Sequence, residues 1–188
     1  MDVQELAPGL WRWTAPHPNW KDGADWEQDV GCVYYEAPGA TVLIDPLVPP
    51  ERERFFEALD RDVERRGLPV SILLTVAWHA RDSAELAERY STLSATPATV
   101  VPFAVSDVDE TLWWLPEHRT LVAGDVLVGS ARGIAVCPES WLDGRSSPAS
   151  IRAVLMPLLG LPIERLLVSH GEPALENGHA ALAAALTA

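Results

Sequence analysis

The sequence predicts an α/β (α+β) protein in which two sheets are flanked by helices. Two observations lead to this class: short apolar runs separated by turn residues fill the first third of the chain, and similar runs then alternate with segments of helical periodicity. With 188 residues, one domain spanning residues 1–188 can bury a core without disulfides.

Composition limits the partners and the location that we expect. Acidic residues outnumber basic ones 27 to 14, and the net charge of −13 repels phosphate backbones and anionic lipid. We therefore expect a small-molecule ligand or substrate, and neither nucleic-acid nor membrane partners. Cys32 and Cys137 lack metal or redox spacing and are expected to be buried thiols. No signal sequence or membrane-spanning run is evident, so the expected location is the cytoplasm.

The first half of the chain predicts strands followed by a helix. An alternating run covers Gly9–Trp13, and two further runs, Cys32–Glu36 and Thr41–Asp45, flank a Pro-Gly turn and predict a hairpin. Pro49-Pro50 then opens a helix in which apolar residues recur every four positions. Gly67 ends it, because glycine adopts the left-handed conformation that follows many helices.

Strands and helices alternate in the rest of the chain. Val70–Thr75 predicts a buried strand, residues 83–90 a short helix, and Thr99–Val101 a brief strand. The remaining predicted elements are a hairpin of Leu112–Leu115 and Thr120–Ala123, a helix capped by Ser147 and kinked or shortened by Pro157, a strand at Leu166–Val168 and an alanine-rich last helix.

Four strings, in this order, resemble motifs of the metallo-β-lactamase superfamily. They are Thr41–Pro46, similar to an early "v-L-I-D" strand; Ile72–Thr75, similar to the strand before the metal-binding H-x-H-x-D-H box; Leu115–Asp125, a hairpin ending in Gly-Asp; and Leu167–Gly171, a strand ending in His-Gly. The resemblance implies a four-layer αββα sandwich of two mixed sheets. It also implies two divalent metals, usually zinc, that activate water for attack on an ester, amide or thioester carbonyl.

The segment at the box position, T-V-A-W-H-A-R-D-S, departs from the family pattern. If the box begins after Thr75, its ligand positions fall on Val76, Trp78, Ala80 and Arg81. If it is anchored on Asp82, the histidine positions fall on Trp78, Ala80 and Ser83. His79 matches in neither register. The resemblance therefore predicts a retained fold that has lost the dinuclear site.

Asp125 and His170 are the residues that fall on ligand positions of the family. Asp125 follows Gly124 at a strand end and is expected to face the site, with bonding to nearby backbone N–H groups as the alternative. His170 precedes Gly171 at another strand end, with a bond to a backbone carbonyl as its alternative.

His79 and Asp82 lie between a strand and a helix and complete the set of candidate catalytic or metal-binding residues. Asp82 begins a capping-box pattern that ends at Glu85, so it is expected to cap the helix, with metal binding or a role as a general base as the alternative. His79 either replaces a missing imidazole or makes an ordinary structural or solvent contact.

Three tryptophans are candidate ligand contacts. Trp78 stands at a ligand position of the box and would fill the space of the metal with an apolar surface. Trp20 and Trp26 lie on a polar loop that, by the resemblance, overhangs the active-site edge. The other tryptophans are expected to pack in the core or at its rim.

These observations favour a metal-free protein of this fold that binds a small molecule, with no cofactor, and leave open whether it is an enzyme. One alternative is a hydrolase of a small ester, lactone or thioester with a single zinc or other divalent metal. Its ligands would come from His79, Asp82, Asp125 and His170. Another is metal-free acid–base catalysis by His79–Asp82 or Asp125–His170.

Overall fold

The structure, a computed structural model, describes residues 2–93 and 95–188. The chain divides into two compact units, Met1–Thr99 and Val100–Ala188. Each unit contains one main sheet with both parallel and antiparallel neighbours, and two α-helices.

The first unit has a five-stranded sheet in the order β1-β2-β3-β4-β5. Its elements are β1 (Asp2–Ala7), β2 (Leu10–Pro16), β3 (Asp29–Ala37), β4 (Ala40–Ile44), α1 (Arg52–Arg66), β5 (Val70–Leu73) and α2 (Ser83–Tyr90). All neighbours are antiparallel except β4 and β5, which are parallel and connected through α1. Parallel strands need such a crossover, and it brings their carboxyl ends to one edge of the sheet.

Helix α1 covers the sheet of the first unit with its apolar side. Phe55 and Leu59 are buried against a cluster that includes Trp13 and Leu43. The helix ends where the sequence predicts, because Gly67 has a φ of 59° and donates its N–H to the carbonyl of Val63 at 3.0 Å.

The second unit has a four-stranded sheet in the order β11-β8-β7-β6 and a separate two-stranded hairpin. Its elements are β6 (Val101–Val105), β7 (Glu110–Leu115), β8 (Thr120–Ala123), β9 (Leu127–Ser130), β10 (Gly133–Val136), α3 (Pro148–Leu155), β11 (Arg165–Val168) and α4 (Gly178–Thr187). Strand β11 is parallel to β8, and the β8–β7 and β7–β6 pairs are antiparallel. The parallel pair again places two strand ends side by side.

Most predicted elements are confirmed, including both hairpins and the effect of Pro157. Helix α3 begins after Ser147, whose hydroxyl accepts the N–H of Ser150 at 3.1 Å, and ends at Leu155 with a 3₁₀ turn beyond it. The strand predicted at Thr99–Val101 is misplaced, since β6 begins at Val101. Strand β1 and the β9–β10 hairpin are absent from the sequence prediction, because β1 is largely exposed and so lacks an apolar signal.

Both cysteines are buried, as expected. No helix in the described ranges combines the length and apolar character that crossing a membrane would require.

Arg66, in the last turn of α1, ties this helix to the β3–β4 hairpin. Its guanidinium donates to Thr41 Oγ1 at 3.0 Å and to the carbonyls of Ala37 and Ala40 at 2.6 and 3.0 Å. It also pairs with the Glu36 carboxylate at 2.9 Å, and its side chain is only 11% exposed. One side chain thus satisfies four acceptors around a tight turn.

We expect Arg66→Met to lower the free energy of unfolding by about 2–3 kcal/mol, because methionine retains the apolar stem but leaves these acceptors without a donor. Urea denaturation measures the change. Arg61→Met on the same helix is the matched control: Arg61 is exposed and has no ion pair among the described residues, so a change within about 0.5 kcal/mol is expected. Equal losses in the two variants would contradict this role of Arg66.

Candidate functional site

Asp45 turns the chain at the edge of the first unit's sheet. It follows β4 directly, is 2% exposed, and has a φ of 49°. This left-handed conformation is one that aspartate tolerates better than most residues. Its N–H donates to the carbonyl of Leu73, at the end of β5, at 3.0 Å. The carboxylate therefore faces the loop that follows β5.

That loop supplies the donors that a buried carboxylate needs. Asp45 Oδ1 accepts the N–H of Thr75 at 2.8 Å, and Oδ2 accepts a short hydrogen bond from the Thr75 hydroxyl. Oδ2 also lies 2.9 Å from Nδ1 of His79. Because a carboxylate has only acceptor atoms, the hydrogen of this contact lies on Nδ1. Asp45, which the sequence did not single out as a site residue, is thus the centre of the first unit's polar cluster.

His79 lies on a 3₁₀ turn formed by Ala77–Ala80 and is 3% exposed. Of the two expectations for this residue, the structure shows a structural contact, made through Nδ1 to Asp45. Metal ligation would use the other ring nitrogen, Nε2, and stays a prediction.

Asp82 occupies the N-cap position of α2 but does not cap the helix with its side chain. Its Oδ2 instead accepts the N–H of Val48 at 2.7 Å. The capping-box prediction is therefore right about the start of the helix and wrong about the bond. With φ of −92° and ψ of 15°, Asp82 lacks the extended backbone that directs an N-cap side chain back to the helix. The carboxylate makes the tertiary hydrogen bond to Val48 in place of a capping bond.

Arg81 stands at the last histidine position of the box in the register that begins after Thr75. Its backbone has a φ of 41° and a ψ of −118°. Its Nη1 donates to the carbonyl of Asp45 at 2.8 Å. A guanidinium has no acceptor atom and stays charged, so it cannot replace an imidazole as a metal ligand. Nearby, burial raises the pKa of the Cys32 thiol to about 11, which keeps it protonated near neutral pH.

Asp125 and His170 come together in the second unit. Asp125 lies just after β8 and His170 just after β11, and the parallel pairing of these strands brings both to one edge. Asp125 Oδ1 lies 3.3 Å from His170 Nε2, and both side chains are mostly buried. The ring of Trp141 meets that of His170 edge-on, with the centroids 5.2 Å apart. The contact within this predicted pair is present, whereas its chemical role stays a prediction.

Glu110 holds the loop that carries Asp125. It begins β7, is 2% exposed, and accepts the N–H groups of Gly124, Asp125 and Val126 at 2.8, 2.9 and 2.8 Å. Burial and, to a smaller extent, the charge of Asp125 raise the pKa of Glu110 to about 8, although the three N–H donors oppose this shift. Sequence reasoning missed Glu110; its only signal was an acid at the start of an apolar strand.

Two glycines fix the backbone beside His170. The N–H of Gly129 donates to the carbonyl of His170 at 2.9 Å. A Cβ added at Gly129 would lie 1.9 Å from the carbonyl oxygen of Glu172, and one at Gly171 would lie 2.1 Å from that of Gly129. Since Gly171 also has a φ of 79°, neither position accepts a side chain.

The three candidate tryptophans occupy two places in the first unit. Trp20 and Trp26 share the loop between β2 and β3, and the indole N–H of Trp20 donates to the carbonyl of Trp26 at 2.8 Å. Trp78 lies next to His79 and is 55% exposed, so it does not fill an interior space. Their role in ligand contact stays a prediction.

The chain is similar in structure to several metallo-β-lactamases. An NDM/FIM-1-like metallo-β-lactamase from Erythrobacter litoralis, in its mono-zinc form, matches with a TM-score of 0.61 and 15% identity over 99% of this chain and 94% of that one. A metallo-β-lactamase from Pontibacter korlensis matches with a TM-score of 0.56 and 17% identity, over 99% and 97%. A metallo-β-lactamase family protein from Thermus thermophilus matches with a TM-score of 0.53 and 15% identity, over 97% and 80%.

No family model matches the sequence, and no curated protein matches it. Structural similarity over nearly the whole chain shows that this protein has the metallo-β-lactamase fold. The predicted fold class, with two mixed sheets flanked by helices, is confirmed. At this level of identity the similarity concerns the fold alone, and the site must be judged from its own residues.

We expect Asp45→Asn to lower the free energy of unfolding by about 1–3 kcal/mol, because an amide nitrogen would replace one of the acceptor oxygens in a buried, filled cluster. Asparagine has the same shape and tolerates the left-handed backbone, so the change isolates the loss of an acceptor. The control is Asp109→Asn: Asp109 has a φ of 54° and a side chain that is 79% exposed. Chemical denaturation should show a change there within about 0.5 kcal/mol.

Glu110→Gln should be less stable than the wild type at acidic pH, because an amide nitrogen cannot accept a backbone N–H. The difference should also depend on pH. A carboxyl group whose pKa is raised on folding stabilises the protein fully below its unfolded value of 4.5 and loses this contribution as pH rises towards about 8. The advantage of the wild type should therefore shrink over this window, as measured by denaturation at several pH values. A difference that stays constant over these pH values would contradict the raised pKa of Glu110.

Proposed function

We propose that this protein has the metallo-β-lactamase fold without the dinuclear metal site and binds a small molecule rather than performing two-metal hydrolysis. The observation that carries the proposal is the chemistry of the segment Thr75–Ser83, where the family's metal box would lie. The support comes from the side chains of this segment and from the contacts they make.

The donor atoms of this segment do not fit a zinc pair. Val76, Trp78 and Ala80 carry no ligand atom, and Arg81 places a permanent cation where the family has a histidine. Asp82 uses one carboxylate oxygen to accept the N–H of Val48. Several imidazoles are needed to hold two zinc ions and leave a position for water, and this segment offers one.

The remaining polar groups are suited to hydrogen bonding with a ligand. In the first unit, His79 is held by Asp45, and Trp78 next to it presents an exposed indole. In the second unit, Asp125 and His170 form a mostly buried acid–imidazole pair. Small-molecule sites typically combine apolar surface with a few placed polar groups of this kind. Trp20 and Trp26 are further ligand contacts in this proposal.

The second candidate is a hydrolase of a small ester, lactone or thioester with a single metal held by residues from His79, Asp82, Asp125 and His170. One observation favours it: the Nδ1 of His79 donates to the Asp45 carboxylate. Metal-binding histidines commonly donate their second ring N–H to a carboxylate, which fixes the ring and leaves Nε2 for the metal.

Metal analysis separates the two candidates. Protein purified without chelator, then incubated with zinc and desalted, should contain far less than one zinc per chain by elemental mass spectrometry. The reason is that only Asp125 and His170 fall on ligand positions of the family, and two ligands bind zinc weakly. His79→Ala and Asp125→Ala should give the same low content. A near-stoichiometric zinc content that both substitutions abolish would overturn the metal-free proposal and support the single-metal hydrolase.

A substrate panel tests the absence of two-metal hydrolysis directly. Esters, lactones and thioesters should show no turnover with added Zn²⁺, Mn²⁺ or Fe²⁺. Turnover that requires the metal would support the second candidate. Turnover without metal that is lost in His170→Ala would instead support acid–base catalysis by the Asp125–His170 pair.

A further inference from the structure

A groove of about 520 Å³ lies in the first unit between α1 and the strands of the sheet. Its size is typical of small-molecule sites. None of its lining residues belongs to the Asp45 cluster, so it is separate from the candidate site described above. The groove forms because α1 covers only part of the sheet. Val3, on the outer strand β1, lines the groove and is 48% exposed.

Aromatic rings line the groove. Trp11 and Tyr34, from neighbouring strands, meet edge to face with their centroids 5.2 Å apart. Trp13 and Phe55, one from the sheet and one from α1, lie 5.6 Å apart. The indole N–H of Trp13 donates to the carbonyl of Leu47 at 2.9 Å, which fixes the ring. Trp13, Tyr34 and Phe55 are largely buried, which holds their rings in place, while the partly exposed Trp11 offers a flat ring face that suits an aromatic molecule.

The mouth of the groove carries two arginines. Arg54 and Arg61 lie seven positions apart on one face of α1, both are exposed, and neither has an ion pair among the described residues. Of the two acids at the mouth, Asp62 pairs at 3.4 Å with Arg65, which does not line the groove, and Glu57 lies between the two arginines in sequence. Neither guanidinium is held in an ion pair within the described ranges, although Glu51 interacts electrostatically with Arg54 and Glu57 lies one helical turn from both arginines; arginine matches the planar geometry of a carboxylate.

From these walls and this mouth, we infer that the groove binds a flat aromatic carboxylate, with its rings against Trp11 and Phe55 and its carboxylate at Arg54 and Arg61. The proposal is independent of the proposed function of the Asp45 and Asp125 clusters. In a chain with a net charge of −13, an anion is otherwise repelled, so its binding depends on these two arginines.

The experiment compares three probes of the same ring system: 2-naphthoate, 2-naphthalenemethanol and 2-naphthylmethylamine. Isothermal titration calorimetry measures the affinities, and ¹H–¹⁵N spectra follow the indole N–H signals of Trp11 and Trp13. We expect 2-naphthoate to bind most tightly, the alcohol more weakly and the amine weakest, with both indole signals moving on saturation. An amine that binds as tightly as the acid would overturn the proposal, as would no saturable binding of 2-naphthoate up to about 10 mM.

Substitutions at the mouth test where the carboxylate lies. The double variant Arg54→Gln/Arg61→Gln should weaken 2-naphthoate about tenfold, since it removes both charges that would pair with the carboxylate, and should leave the alcohol unchanged. Arg132→Gln, at an exposed turn of the second unit, removes one positive charge away from the groove and should weaken the acid little. Equal effects of the double variant and the control on 2-naphthoate would refute recognition by these arginines.

Filling the groove tests where the rings lie. Ala58→Phe extends a side chain from α1 into the groove and should abolish binding of both the acid and the alcohol. Thermal melting verifies that the variant folds. Binding that survives in a folded Ala58→Phe variant would place the ligand elsewhere and reject the proposal. If this variant does not fold, the double arginine variant still tests the proposal, because Arg54 and Arg61 are exposed and their substitution should not prevent folding.

Discussion

The loops of both units are organised by buried carboxyl groups whose oxygen atoms must all accept hydrogen bonds. Asp45 is 2% exposed and receives donors from Thr75 and His79, while Glu110 is equally buried and receives three consecutive backbone N–H groups. An unpaired carboxylate in such a place would cost several kcal/mol, so the loop that supplies the donors cannot move away freely. Each loop carries candidate site residues, and each acquires its shape from an acid on a neighbouring strand.

This constraint makes the loop architecture compatible with the proposed metal-free protein. The loop after β5 is held through Thr75 and the Nδ1 of His79, neither of which depends on what occupies positions 76, 78 or 80. Side chains without ligand atoms at these positions therefore leave the hydrogen bonds of the loop intact. In the second unit, the bonds from Glu110 reach only backbone N–H groups, so the Asp125 loop is likewise independent of metal. A fold whose active-site loops are held by such bonds can change its chemistry without unfolding.

Local signals predicted much of the fold and part of the site. Gly67 ends α1, and Ser147 with Pro157 delimits α3, because these residues act through their own backbone geometry. Asp125 and His170 were proposed as site residues because each follows a strand in a short string that resembles a family motif, and their role stays a prediction. The capping bond predicted for Asp82 was wrong, because its carboxylate accepts the distant N–H of Val48 and not an N–H of its own helix. Glu110 was missed, because its partners lie fourteen to sixteen positions along the chain.

The sequence by itself determined the class of fold, the order of its main elements and the residue types available at the box, since propensity, periodicity and side-chain chemistry are local properties. Only the tertiary structure decided which groups meet: Asp45 with His79, Asp82 with Val48, and Glu110 with the Asp125 loop. It also showed the aromatic groove beside α1. These contacts join residues far apart in the chain, and burial selects them because each buried polar group must find a partner once the strands have paired.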